Sequence, residues 1–90
     1  MPRRTSIDLY AETLQVLRAK GGAERITKLS YGVGVPVDRL KTLLQRLAKA
    51  GLIRVEEKEE GTLYILTPRG VEFLKAYWKM KSFLSTLEEQ

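Results

Sequence analysis

Apolar residues fall on a helical spacing three times before Gly51. Ile7, Tyr10, Leu14 and Leu17 stand three or four apart, follow Thr5 and Ser6, and stop at Gly21-Gly22, which is the pattern of an amphipathic helix. A shorter run from Glu24 to Tyr31 sets Ile26 and Leu29 three apart and ends at Gly32-Val33-Gly34, where glycines allow a tight turn. Pro36 suits a first helical position and opens a third run, whose Leu40, Leu43, Leu44 and Leu47 make one stripe before Gly51. Beyond it the period changes to two. Ile53 and Val55 are expected to point inward and Arg54 and Glu56 outward, Leu63 to Leu66 forms a second β-prone run, and Glu57 to Thr62 makes the hairpin loop between them. Thr67-Pro68 then reads as a cap and first residue of a last helix reaching about Leu87.

The order helix, helix, helix, hairpin, helix predicts a mainly α fold with a small β-hairpin: a winged helix-turn-helix over residues 1–67, followed by a long C-terminal helix over 68–90. The third helix, 36–50, is then the recognition helix. With its leucine stripe buried, the opposite side carries Asp38, Lys41, Thr42, Gln45 and Lys49, flanked by Arg39 and Arg46. In a major groove Thr42 and Gln45 would touch base edges, and Lys41, Arg46 and Lys49 would meet bases or phosphates. The same residues also suit an ordinary solvated helix face. Asp38 is expected to serve the free N–H groups and the positive end of the helix rather than a base.

The last helix carries two apolar stripes. Phe73, Tyr77, Met80, Leu84 and Leu87 alternate at four and three, a heptad seam, while Val71, Leu74 and Trp78 lie about a third of a turn away and stop early. The short stripe is expected to pack on its own domain. The longer seam, widened by Phe83, is expected to meet a second chain, so the dimer candidates are Phe73, Tyr77, Met80, Phe83, Leu84 and Leu87. One broad intramolecular face is the other reading.

Composition narrows the chemistry. The 90 residues include no Cys and no His, which excludes thiolate and imidazole catalysis, disulfides and nitrogen or sulfur ligand sets for zinc. No Walker loop, nucleophile motif or dinucleotide fingerprint occurs, so the expectation is a non-enzyme without cofactor or metal. The absence of Asn and Cys, with 30% charged residues, suits a hot habitat. No long uncharged apolar run occurs and Met1 to Ser6 lacks the core of a signal peptide, so a cytoplasmic, nucleoid-associated protein away from membranes is expected.

The net charge of +5 favours a polyanion, but it is distributed unevenly. The third helix carries a cationic excess, whereas Glu56-Glu57-Lys58-Glu59-Glu60 makes the hairpin acidic. Such a wing would repel phosphate. It stands off the backbone with only Arg54 and Lys58 near it, docks a protein, or is a solvated tip kept from aggregating by its charge. Arg3 and Arg4 form a basic arm that could reach DNA or be unstructured. Tyr10, Tyr31 and Tyr64 read as core residues rather than stacking platforms.

Tyr31-Gly32-Val33-Gly34-Val35-Pro36, the leucine-rich helix, Gly51-Leu52-Ile53 and Tyr64-Ile65-Leu66-Thr67-Pro68-Arg69-Gly70 together resemble the small archaeal winged-helix proteins of the ten-kilodalton chromatin-associated type. The resemblance spans the first helix to the last. It implies a homodimer, joined by its last helices as an antiparallel coiled coil, that binds duplex DNA with little sequence preference, as a chromatin-associated or regulatory factor. Gly34-Val35-Pro36 departs from the Asn-Leu-Ser often found there in the family, so contacts made by that polar pair do not transfer. Two other functions fit the same elements: a winged-helix adaptor docking a protein of the transcription or repair machinery, and a ligand-sensing repressor with a pocket near Tyr77 and Trp78.

Overall fold

A computed structural model describes residues 5–88, so the Arg3–Arg4 arm lies outside the described residues. The chain forms α1 (Ser6–Ala19), β1 (Ala23–Glu24), α2 (Ile26–Val33), α3 (Val37–Lys49), β2 (Ile53–Lys58), β3 (Gly61–Leu66) and α4 (Pro68–Glu88). The expected order holds, with one addition. Ala23 and Glu24 pair antiparallel with Ile65 and Tyr64, so the hairpin becomes a three-stranded sheet in the order β1-β3-β2. Two residues of alanine and glutamate have no strand signature of their own; only pairing with β3 makes them a strand.

Each helix end has a local cause. Thr5 caps α1 through a reciprocal box, its hydroxyl accepting the Asp8 N–H at 3.1 Å and the Asp8 carboxylate accepting the Thr5 N–H at 3.1 Å. Helix α2 runs later than the periodicity suggested, because Glu24 is drawn into the sheet. It ends at Gly34, which takes the left-handed φ of 76° and donates its N–H to Ser30 O at 2.8 Å, while Ser30 Oγ donates to Val35 O at 2.6 Å. Gly32 is not a turn residue. It sits inside α2, where a Cβ would come within 2.6 Å of Val16 Cγ1, so its role is close helix packing. Pro36 is the cap residue of α3 rather than its first helical position, and Asp38 lies in the first turn, the electropositive end of the helix. Thr67 caps α4 by accepting the Gly70 N–H at 3.1 Å and donates to Gly51 O at 2.7 Å, tying the strand exit to the end of α3.

The core joins α1, α2, α3, β2 and α4 through Leu9, Leu14, Leu17, Leu29, Leu40, Leu44, Leu47, Ile53 and Leu74, all buried. Burial of such side chains supplies most of the folding free energy, at about 25 cal/mol per Å² of apolar surface. Thr13 is fully buried among them and donates its hydroxyl to Leu9 O at 2.7 Å, so no buried polar side-chain atom among the described residues lacks a partner. The α3 stripe is buried as expected. The α1 stripe is rotated: Leu9 faces the core in place of Ile7, which is half-exposed.

Corrections also fall on the hairpin and on α4. The β2–β3 ladder continues to Lys58 opposite Gly61, so the loop is Glu59-Glu60 rather than Glu57 to Thr62. Neither glutamate takes a positive φ; Gly61, at 131°, absorbs the reversal. Val55 is on the inner face but 41% exposed, because it lies beyond the edge of the core. On α4 the side turned to the domain is Gly70, Leu74 and Tyr77, and Trp78, expected to pack there, is 53% exposed. Gly70 fixes that side: a Cβ would stand 2.2 Å from Leu52 O, so only glycine lets the helix approach the strand this closely. Tyr77 is taken up by its own domain, its hydroxyl donating to Asp8 Oδ1 at 2.5 Å. Helix α4 is about 31 Å long at 1.5 Å per residue, and the part beyond Tyr77, about 16 Å of it, continues outward. The radius of gyration of 13.8 Å accordingly exceeds the roughly 12 Å of a compact chain this long.

Candidate nucleic-acid interface

The outward side of α3 is built by elimination. Leu40, Leu43, Leu44 and Leu47 are committed to the core, and at about 100° per residue this leaves Thr42, Gln45 and Lys49 at the crest, with Lys41 on the side facing the hairpin. All are exposed, and no ion pair among the described residues involves Lys41 or Lys49. Arg39 and Arg46 fall on the other flank. Arg46 is held there, its Nη1 donating to the Tyr10 hydroxyl at 3.3 Å, so it joins α3 to α1 and stands apart from the Lys41 side.

Between α3 and the hairpin runs a groove of about 320 Å³ lined by Lys41, Leu44, Gln45, Ala48, Val55 and Tyr64. Its floor is apolar and its α3 rim carries an amide and an ammonium. Burial and the neighbouring Glu57 carboxylate push the Tyr64 phenol up from its ordinary pKa, so it is a neutral donor and acceptor here.

The hairpin's cations are placed differently. Arg54, Glu56 and Lys58 alternate along one face of β2, and Glu56 takes both neighbours: Arg54 Nη2 at 3.2 Å and Lys58 Nζ at 3.1 Å. The Lys58 hydrogen bond, its charge and then Arg54 hold the Glu56 carboxyl below its ordinary value. At the tip, Glu60 pairs with Arg25 of the α2 cap at 3.0 Å. The two wing cations expected at the phosphates therefore share one carboxylate lying between them.

Tyr31, expected in the core, lies on the surface instead. It is 88% exposed on α2, beside the turn into α3 and next to exposed Thr27 and Lys28. Its neighbours in sequence gave the signal, since Gly32 rather than Tyr31 occupies the face packed on α1. Among the described residues no group of three or more carboxylates could hold a metal ion, and no helix is long and apolar enough to cross a membrane.

This arrangement, a glycine-stopped helix leading into an exposed basic helix beside a β-hairpin, defines the class. The winged helix-turn-helix family profile matches residues 3–85, and the chain belongs to that family. The fold is shared with Sso10a-2, a DNA-binding protein from Sulfolobus solfataricus, at a TM-score of 0.77 and 20% identity over 96% of this chain and 90% of that one. It is also shared with F93 from STIV, a winged-helix DNA-binding protein, at a TM-score of 0.73 and 20% identity, covering 87% of this chain and 90% of that one. A MarR-family transcriptional regulator from Silicibacter pomeroyi matches at a TM-score of 0.74 and 22% identity over 94% of this chain, which spans 68% of the regulator. No curated protein matches the sequence.

Proposed function

We propose that the protein is a homodimeric, non-enzymatic regulator or chromatin-associated factor that binds double-stranded DNA with α3 in the major groove. The observation that carries this reading is the α3 crest: Lys41, Thr42, Gln45 and Lys49 are exposed together on a helix whose opposite side is locked into the core. Thr42 and Gln45 supply hydrogen-bonding groups for base edges, and Lys41 and Lys49 supply phosphate charge. Arg39 and Arg46 reach the backbone along the α1 flank. Arg54 and Lys58 add less than their charge suggests, because both pair with the one Glu56 carboxylate. The fold it shares with Sso10a-2 and F93, both DNA-binding, supports the reading, as does the pairing of a small domain with a projecting helix.

Dimerisation is assigned to α4. Beyond Tyr77 its exposed side carries Met80, Phe83, Leu84 and Leu87, an apolar run that one small domain leaves uncovered. The expected division into residues 1–67 and 68–90 is thus one of role, since Leu74 and Tyr77 belong to the common core.

The test is a titration of random-sequence duplex at several salt concentrations. The logarithm of the affinity should fall steeply with the logarithm of salt, by roughly 0.9 for each phosphate neutralised. A flat response, or no retention of duplex at low salt, would overturn the assignment. A winged-helix adaptor is the second reading, favoured by the glutamate-rich tip. It requires a defined protein partner and no duplex affinity.

A further inference from the structure

The sheet has one long open edge. In the order β1-β3-β2 the outer strands are β1, two residues long, and β2, six residues long. Two bonds fix which backbone groups of β2 face outward. Thr67 donates its N–H to Leu52 O at 3.2 Å, toward the β2 side, and Leu66 donates to Gly22 O at 2.7 Å, toward the β1 side. Hydrogen-bonded positions alternate along an antiparallel ladder, so Gly61, Leu63 and Ile65 turn their peptide groups to β2, where Lys58, Glu56 and Arg54 meet them. The N–H and C=O groups of Ile53, Val55 and Glu57 therefore point away from the sheet. Among the described residues none of these groups finds a partner, and no bulge interrupts the register from Ile53 to Lys58.

An open edge of this length pairs with another strand unless its side chains forbid it. Those of β2 forbid most pairings and favour one. Arg54, Glu56 and Lys58 alternate in sign on the outer face, while Val55, 41% exposed, lies on the inner face. When two copies of β2 meet antiparallel about a two-fold axis, outward peptide groups meet outward groups with the axis at Arg54, Val55, Glu56 or Glu57. At Arg54 the axis sets Arg54 against Arg54, and at Glu56 it sets Glu56 against Glu56 and Arg54 against Lys58. At Glu57 it opposes two carboxylates and carries the pairing into the Glu59-Glu60 turn. At Val55 it places Arg54 opposite Glu56 of the second copy, twice over, with Val55 against Val55. Opposite charges across a strand pair stabilise it and like charges destabilise it, so the register centred on Val55 is the one selected.

We propose that β2 pairs edge to edge with β2 of a second copy, antiparallel and centred on Val55, joining two three-stranded sheets into one of six strands. Ile53, Val55 and Glu57 then satisfy their peptide groups across the axis, and Glu56 gains a cation from the second copy beside Arg54 and Lys58 of its own strand. The order of charges on the wing thereby has a use that a solvated tip lacks: it admits one register and rejects its neighbours. Residues 53–57 bury too little surface for a permanent assembly, so the contact is weak in free solution and fills where copies are concentrated side by side. It involves neither α4 nor the α3 crest, and so goes beyond the function proposed above.

The chain has no cysteine, so introduced thiols report without background. Under mild oxidation at high protein concentration, Val55→Cys should give a disulfide-linked pair, because its two copies face each other with Cα atoms about 5.5 Å apart. Glu57→Cys should not, since its two copies lie about 14 Å apart along the strands and a disulfide needs Cα atoms within about 7 Å. Val55→Pro removes the central outward N–H, which takes no part in the β2–β3 ladder, and should eliminate the heaviest species that sedimentation detects in the concentrated wild type. Arg54→Glu turns both cross-strand pairs into like charges and should raise the dissociation constant of that species on the order of tenfold; Arg54→Glu with Glu56→Arg should restore it to within about threefold. Crosslinking of Glu57→Cys in place of Val55→Cys overturns the register. Identical sedimentation of the wild type and Val55→Pro overturns the contact, and equal association of Arg54→Glu and the double variant overturns its selection by charge. Should Val55→Pro lower the melting temperature, the cysteine pair and the charge exchange decide alone. Failure of the duplex titration leaves this contact standing, and loss of the contact leaves duplex binding standing.

Discussion

Helix α3 and the β2–β3 hairpin were both expected to offer cations to a nucleic acid, and they differ in how those cations are held. The helix sets four cations, Arg39, Lys41, Arg46 and Lys49, against the single carboxylate of Asp38. The hairpin sets Arg54 and Lys58 against four glutamates, one of which lies between them on the same strand face. A strand puts i, i+2 and i+4 side by side, so the order Arg-x-Glu-x-Lys brings the neutralising group to both partners. On a helix the stripe buried in the core dictates the exposed side, and here that side is almost free of acids. Charge counted along the chain is therefore a poor guide to charge available at a surface.

The comparison can be broken or sharpened by substitution. Leu44→Ala should have the largest effect, because Leu44 is buried in the core and also floors the groove shared by both regions. A loss of about 2–5 kcal/mol of stability is expected by denaturant unfolding, and binding by both regions should fall with it. Next, Lys41→Ala with Lys49→Ala should lower duplex affinity on the order of tenfold at low salt and make the salt slope shallower by nearly two for each α3 engaged, at unchanged melting temperature. An unaltered slope would remove the α3 crest from the interface.

Glu56→Gln frees the wing cations and should tighten duplex binding by about twofold to fivefold, with a steeper salt slope. No gain would mean that the wing stands away from the duplex. The same clamp sets a pH expectation. A carboxylate held below its ordinary value of 4.5 keeps its pairs throughout the neutral range, and releases them only as pH falls through the lowered value. Affinity should accordingly show no wing-dependent change between mildly acidic and mildly alkaline solution, in the wild type or in Glu56→Gln. The smallest effect belongs to Glu60→Ala. Its partner is Arg25 at an exposed pair, so stability should change by less than about 1 kcal/mol and affinity barely, in contrast to Glu56→Gln. Equal gains from the two variants would show that total charge, and not the Glu56 clamp, governs the wing.

The α3 crest was legible in the sequence because a four-leucine stripe leaves no freedom about which side is buried. The hairpin partners were equally legible, but not the length of the loop, since Glu57 and Thr62 read as loop residues until pairing along the ladder claims them. The last helix was legible in extent and mistaken in orientation. Val71, Leu74 and Trp78 make as good a stripe as Gly70, Leu74 and Tyr77, and hydrophobicity alone favours the first. What turns the helix is a glycine that permits contact with Leu52 O and a tyrosine hydroxyl that finds Asp8. Neither is visible as periodicity.

The sequence by itself determined the order of helices, the buried stripe of α3, the glycine stops and the exclusion of cysteine and histidine chemistry, because these depend on residues within one or two turns of each other. Tertiary structure alone decided that Ala23-Glu24 is a strand, and that Ile7 and Trp78 face outward while Tyr77 faces in. Each of those outcomes depends on a partner remote in sequence or on a side-chain geometry that the backbone must first create, and no local pattern encodes either.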